Sequence, residues 1–331
     1  MPDLRTSYMG LQLKNPIIIG SSTLTDTPEK IKALEDNGAA AVVLKSLFEE
    51  EVRNVSDSSQ CCNYHPEAYY YDMSDAGMLY GISEYLELIK EAKKIVDIPI
   101  IASICCENAE WWSTYPKKLE KAGADAIELN LNLLSLDANE DPVQNYLKTI
   151  EIIDTVKKNI SIPFSVKISP YCCSIPYLVN MFKTNGASGV VMFSRLFRVG
   201  INLETIECEP ADYYSSPNET YKVLRWINIV SEQLDVELCG NTGIHSSKEV
   251  LQHLLAGASA VQMVSSIYKN GPEIIKQTIE EIEQYMFERQ FNNLKEMKGF
   301  LRSDEKDFDL MYFNSLTHDR FQLADGMELG S

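Results

Sequence analysis

The 331-residue sequence has no apolar run approaching the ~18 residues that a membrane-spanning helix needs. Basic residues are in deficit: 30 Lys and Arg stand against 48 Asp and Glu, a formal charge of −18. A surface of that sign repels nucleic acid and anionic lipid, so no nucleic acid and no membrane is expected as partner. The opening residues, Met1-Pro2-Asp3-Leu4-Arg5, lack the apolar core of a signal peptide, which predicts a cytoplasmic protein. Metal-binding spacings are missing too. Of the eight cysteines, six form the adjacent pairs Cys61-Cys62, Cys105-Cys106 and Cys172-Cys173, with Cys208 and Cys239 apart. None makes a C-x-x-C, and the four histidines make no H-x-x-x-H, so no metal and no iron–sulfur cluster is expected. Reduced, mostly buried thiols suit such a chain. The absence of G-x-S-x-G argues against an α/β-hydrolase nucleophile.

What is present is a recurring phrase. A helix-like segment ends in Gly-Ala and a short apolar run follows, at Gly38-Ala39, Gly123-Ala124, Gly186-Ala187 and Gly257-Ala258. The glycine suits the left-handed residue that closes a helix, and the apolar run suits a strand buried on both sides. The phrases recur at intervals of roughly 60–85 residues, room for two βα units each. The intervening strands are Pro16-Ile17-Ile18-Ile19-Gly20 and the runs 98–104, 162–168 and 236–239. Helical segments are expected at 28–36, 82–95, 112–121, 143–158, 174–184, 222–234 and 248–255. Strict β/α alternation allows an open doubly wound sheet or a closed barrel, and eight units favour the (β/α)₈ TIM barrel. Long βα loops follow strand 2 (46–80), strand 4 (132–142) and strand 6 (194–220), over the face where barrels carry their chemistry. One domain, residues 1–295, is expected, with 296–331 as a polar surface extension or subunit contact.

Polar residues stand where those strands end. They are Gly20-Ser21-Ser22 after strand 1, Lys45-Ser46 after strand 2, Asn130 and Asn132 after strand 4, and Ser194-Arg195 after strand 6, with Lys167 inside strand 5. Lysine is almost never fully buried without a partner, so two lysines and an asparagine at the barrel mouth predict an anionic or electron-rich ligand. Strand 7 runs into Gly240-Asn241-Thr242-Gly243, and strand 8 into Ser265-Ser266. Backbone N–H groups at such turns favour an anion, and barrels bind phosphate at this place. A phosphate-binding barrel enzyme, such as an isomerase or aldolase with Lys167 as a Schiff-base amine, is one reading of the same residues.

The sequence resembles the dihydroorotate dehydrogenase family, its soluble class 1 branch in particular, over roughly residues 3–290. The likeness rests on Leu13-Lys14-Asn15-Pro16-Ile17-Ile18, Leu44-Lys45-Ser46, Glu128-Leu129-Asn130-Leu131, Val166-Lys167-Ile168-Ser169-Pro170-Tyr171 and the stretch 240–272. The resemblance implies FMN as cofactor and a place in pyrimidine biosynthesis. It lays Gly20, Ser21, Ser22, Lys45, Ser46 and Asn130 along the flavin, with Lys167 by the ring edge where a cation stabilises the reduced form. It gives the phosphate to Gly240, Asn241, Gly243, Ser265 and Ser266. Lys167, Lys45 and Ser135 are the candidate catalytic residues, and Asn132, Ser194 and Arg195 the candidate substrate contacts. The family pattern Asn-Leu-Ser-Cys-Pro-Asn reads Asn130-Leu131-Asn132-Leu133-Leu134-Ser135 here, so Leu133 stands where the class 1 cysteine base is expected. A leucine cannot accept a proton. Ser135, or a cysteine of the 105–106 and 172–173 pairs, is left to replace it. The expected activity is oxidation of a CH–CH group in a small acid or heterocycle by hydride transfer to flavin. The alternative is an FMN-binding barrel without dihydroorotate turnover, inactive or passing electrons to a partner protein. Family analogy favours a homodimer.

Overall fold

The computed structural model describes residues 1–48, 81–105, 109–131, 139, 141–195 and 199–300. Eight parallel strands close into a barrel. They are β1 (Ile17–Ile19), β2 (Ala41–Val43), β3 (Ile100–Cys105), β4 (Ala126–Asn130), β5 (Phe164–Ile168), β6 (Gly189–Met192), β7 (Glu237–Asn241) and β8 (Ala260–Met263). Each pairs in parallel with its sequence neighbours, and β8 against β1 completes the ring, with Val261 opposite Ile17 and Met263 opposite Ile19. Among the described residues eight long helices surround it: α1 (Pro28–Asp36), α2 (Ile82–Ile95), α3 (Ala109–Ala122), α4 (Pro142–Asn159), α5 (Ile175–Thr184), α6 (Thr220–Gln233), α7 (Ser247–Ala256) and α8 (Glu273–Glu288).

Local chemistry sets these boundaries. Thr27 caps α1 by accepting from the Lys30 amide at 3.3 Å, and Pro28 fills the first helical position, where no amide hydrogen is needed. Ser246 and Glu249 form a capping box on α7. The four Gly-Ala glycines all adopt left-handed backbone, with φ of 104° at Gly38, 108° at Gly123, 106° at Gly186 and 114° at Gly257. Each stops a helix and turns the chain into the next strand.

Two layers of apolar packing result. The larger lies between strands and helices and includes Ile17, Val42, Ile127, Val166, Val190 and Val261. The smaller fills the lower barrel interior with Ile18, Val43, Ile101, Ala126, Val191 and Cys239. An antiparallel hairpin, Thr6–Tyr8 with Leu11–Leu13, closes the bottom by inserting Tyr8, Met9 and Leu13 among them. Nothing in the sequence reading anticipated this plug. A second hairpin, Val199–Asn202 with Glu207–Pro210, rises from the loop after β6.

The chain keeps its contact with the barrel beyond residue 295. Lys298 donates to Ser259 Oγ at 2.6 Å, and the Gly299 amide donates to Leu254 O at 2.9 Å. Most of the expected loops after β2 and β4, and the tail beyond 300, lie outside the described residues. Among the described residues no helix is long and apolar enough to cross a membrane. The described thiols divide: Cys105 and Cys239 are buried, Cys172 is half-buried, and Cys173 and Cys208 are exposed, so burial holds for only part of the set.

Candidate functional site

A cavity of about 800 Å³ opens at the C-terminal end of the strands, a size typical of cofactor pockets. Its wall includes Ser21, Ser46, Asn130, Lys167 and Asn241, all singled out from sequence, and at its other end Gly243 and Ser265.

The barrel interior beneath this wall is polar. Strand register sets Ser103, Glu128 and Ser165 at one height and Asn130 and Lys167 one step above. All five are buried, Glu128 to 1% exposure and Lys167 to 8%. The Lys167 ammonium lies 3.5 Å from Glu128 Oε1 and donates to Gln262 Oε1 at 3.3 Å. Gln262 in turn donates to Glu128 Oε2 at 2.6 Å. A cation is thus held at the cavity wall by groups below it. A line of hydroxyls descends beside it, Ser21 to Ser46 at 3.1 Å and Ser46 to Ser103 at 2.8 Å. Ser194 donates to Asn130 Oδ1 at 2.8 Å, which leaves the Asn130 amide N–H groups available to a ligand.

Other expected residues shape the site from behind the wall. A Cβ on Gly20 would stand 2.8 Å from Val264 Cγ2, so glycine permits the close approach of the β1 and β8 ends. Ser22 is buried and donates to Gly20 O at 3.2 Å, fixing the turn after β1. Lys45 is buried at the end of β2 and does not line the cavity. Gly240 makes room for the His253 imidazole of α7. Asn241 donates to Phe193 O at 2.7 Å and ties β7 to β6.

At the Gly243 end the backbone takes an uncommon form. Thr242 and Gly243 have φ of 82° and 79°, and a Cβ on Gly243 would overlap the Thr220 backbone. Ser265 Oγ accepts from the Ser215 amide at 3.0 Å. Ser266 is fully buried, and its Oγ has no hydrogen-bond partner among the described residues. Lys269 lines the same end and donates to Ser215 O at 3.1 Å. Tyr268 meets Thr23 Oγ1 at 2.5 Å and lies 5.4 Å from the Tyr214 ring. Burial, then the Lys269 charge, keeps the nearby His245 imidazole below its ordinary pKa.

Arg195 reaches the rim, but its guanidinium is already engaged. It donates to Glu219 Oε2 at 3.2 Å and to the carbonyls of Asp212, Tyr213 and Tyr214 at 3.2, 3.2 and 3.1 Å. It clamps the returning loop, residues 211–215, along the cavity. Asn132 and Ser135 lie outside the described residues. Burial pushes the Cys172 thiol up to about 11, which leaves it protonated and a poor base at neutral pH.

Glu128, Gln262 and Lys269 were not among the candidate residues. The first two carried a usable signal, since each is a polar residue flanked on both sides by apolar ones inside a strand. Lys269 carried none, because its role depends on where the loop after β6 returns.

Residues 3–286 match the dihydroorotate dehydrogenase family. Among curated proteins, the "Dihydroorotate dehydrogenase B (NAD(+)), catalytic subunit" of Thermoplasma volcanium is 28% identical over 90% of this chain and 98% of its own. The protein of the same name from Thermoplasma acidophilum is 26% identical over 90% and 99%. That from Pyrococcus furiosus is 28% identical over 89% and 98%. A match of this extent, on a closed barrel with a lysine-bearing cavity at its mouth, shows that the chain belongs to the dihydroorotate dehydrogenase family of oxidoreductases.

Proposed function

We propose that the protein is an FMN-dependent oxidoreductase that takes hydride from a CH–CH group of a small acid or heterocycle and passes the electrons to a second subunit. One observation carries this reading: the Lys167 ammonium stands in the wall of a cavity whose other end is lined by Thr242, Gly243, Ser265 and Lys269. The residues present fit FMN. The unpartnered Ser266 hydroxyl, the left-handed Thr242–Gly243 turn, Ser265 and Lys269 suit its phosphate. Ser21, Ser46, Asn130 and Lys167 suit the electron-rich edge of its ring. When bound, FMN supplies the hydride acceptor.

The chain supplies charge, orientation and a proton acceptor. Lys167 offers a fixed cation where negative charge would develop, in a setting already desolvated by burial. Lys45, buried just past the end of β2, is the second lysine at this end of the barrel. Ser135 is the proposed proton acceptor, with Asn132 and Ser194 toward the substrate and Arg195 acting through the loop it clamps. The relatives are designated catalytic subunits, which supports a separate electron-accepting partner here. A homodimer, a cytoplasmic setting and a surface role for 296–331 complete the proposal.

A second reading has its own support. Leu133 occupies the position of the family's base, and the Arg195 donors are engaged by the loop. Both features favour FMN binding without turnover of dihydroorotate itself.

The test is optical. The purified protein should be yellow and release FMN on denaturation; a colourless protein without flavin sinks the proposal. Anaerobic mixing with dihydroorotate then separates the readings. Rapid bleaching supports the named family activity, and persistent colour supports a different substrate or none.

A further inference from the structure

The Glu128 carboxylate lies at mid-height inside the barrel, 1% exposed. Its Oε2 is gripped by the Gln262 amide at 2.6 Å. Its Oε1 has no hydrogen-bond partner among the described residues and faces the Lys167 ammonium at 3.5 Å. Gln262 also accepts from that ammonium, at 3.3 Å, so one side chain touches both charges. Both contacts to the ammonium exceed the roughly 2.7–2.9 Å of a tight charge-assisted bond.

This is an expensive arrangement for structure alone. Withdrawing a carboxylate from water costs several kcal/mol, and a well-packed apolar pair of the same volume is often as stable. A simple counter-ion would close on the lysine. Here the carboxylate is tied to Gln262 instead, and the ammonium is left at the cavity wall with unused donor capacity on the open side. How far its charge reaches into the cavity then depends on how firmly the groups behind hold it back.

We propose that Glu128 is a positioning residue which, through Gln262, fixes where the Lys167 ammonium stands and how much of its charge reaches the cavity, and so sets the redox poise of the flavin bound there. This rests on the flavin reading above. It assigns the chain a tuning group one layer beneath the residues that would touch the cofactor.

The experiment uses the full chain with FMN and the variants Glu128→Gln, Lys167→Met and the double variant. Glu128→Gln keeps shape and removes charge. The midpoint potential of bound FMN should move positive, because the ammonium is no longer drawn back from the cavity. The dissociation constant of reduced FMN should fall relative to that of oxidised FMN by about tenfold or more. In the Lys167→Met background the same substitution should move the potential by less than half as much. Equal shifts in both backgrounds, or none in either, would overturn the proposal. Glu128→Asp, which withdraws the carboxylate slightly, should give a smaller shift of the same sign and stands in if Glu128→Gln fails to fold. A second arm needs no cofactor. In the apoprotein, Lys167→Met should lower the urea midpoint, and adding Glu128→Gln should restore part of the loss. Additive losses overturn the coupling of Glu128 to Lys167. A protein that binds no FMN instead overturns the function proposed earlier, while the apoprotein arm still reports on the pair.

Discussion

The lower and upper halves of the barrel interior are built to opposite rules. Below, Tyr8, Ile18, Val43, Ile101, Val191 and Cys239 pack as a dry core. Burial pushes the Cys239 thiol well above its ordinary range. Above, on β3, β4, β5 and β8, stand Ser103, Glu128, Ser165, Asn130, Lys167 and Gln262, all buried. The change comes within one or two residues: Ala126 belongs to the lower half, Glu128 and Asn130 to the upper. The lower half stabilises through apolar area and shape. The upper half carries paired charge and hydrogen bonds, which contribute little net stability but hold groups in fixed places. Stability and chemistry are thus separated along the barrel axis.

Mutations can break that contrast. Tyr8→Ala should have the largest effect on folding, about 4 kcal/mol, because it empties the plug of a dry core. Urea unfolding should record the loss, while the protein that remains folded keeps its ligand affinity. If affinity fell in proportion, the halves would not be separable. Lys167→Met should cost about 3 kcal/mol in the apoprotein by leaving Glu128 without its cation, and should weaken FMN binding about tenfold or more. Flavin fluorescence titration reads the second effect, and normal binding would remove Lys167 from the site.

Acid should also act on the upper half, from outside. His253 is fully buried against Gly240 on β7, and burial lowers its pKa from 6.5 to about 4. The folded state therefore excludes the proton that the unfolded chain accepts. Stability should be complete above pH 6.5 and decline as pH falls toward 4, by about 3 kcal/mol at 1.4 kcal/mol per unit. His253→Gln should flatten this part of the pH–stability curve; an unchanged curve would assign the acid sensitivity elsewhere. The smallest effect is expected at Arg195. Arg195→Lys keeps the charge but loses the fork that spans Glu219 and three carbonyls, for about 1 kcal/mol. Proteolysis within residues 211–215 should quicken with little change in melting temperature.

Much of the barrel was legible from residues alone. The expected helices at 28–36 and 82–95 match α1 and α2 at both ends; for α1, Pro28 and the Gly38 turn mark limits that few other local structures satisfy. The cavity wall was legible for a related reason: Lys167 and Asn130 are expensive to bury without a purpose. The plug was not, since the short alternation from Thr6 to Leu13 gives no sign that Tyr8 enters the barrel. Nor was the Glu128–Gln262–Lys167 contact, whose partners lie 95 and 134 residues apart and meet only when the ring closes. The engagement of Arg195 was equally hidden, because its partners are mostly backbone carbonyls, and every residue has one.

The left-handed glycines have one further consequence. The four Gly-Ala glycines precede β2, β4, β6 and β8, and Pro16, Pro99 and Pro163 stand directly before β1, β3 and β5. The protein is thus four editions of one strand–helix–strand module, and each linking helix lies on a seam between modules. All three long loops follow even-numbered strands, so they are inserted at seams. Cutting and rejoining the chain at a seam should therefore be tolerated, whereas the same cut inside a module should not. The barrel can change its mouth freely there, because no module has to be rebuilt to do it.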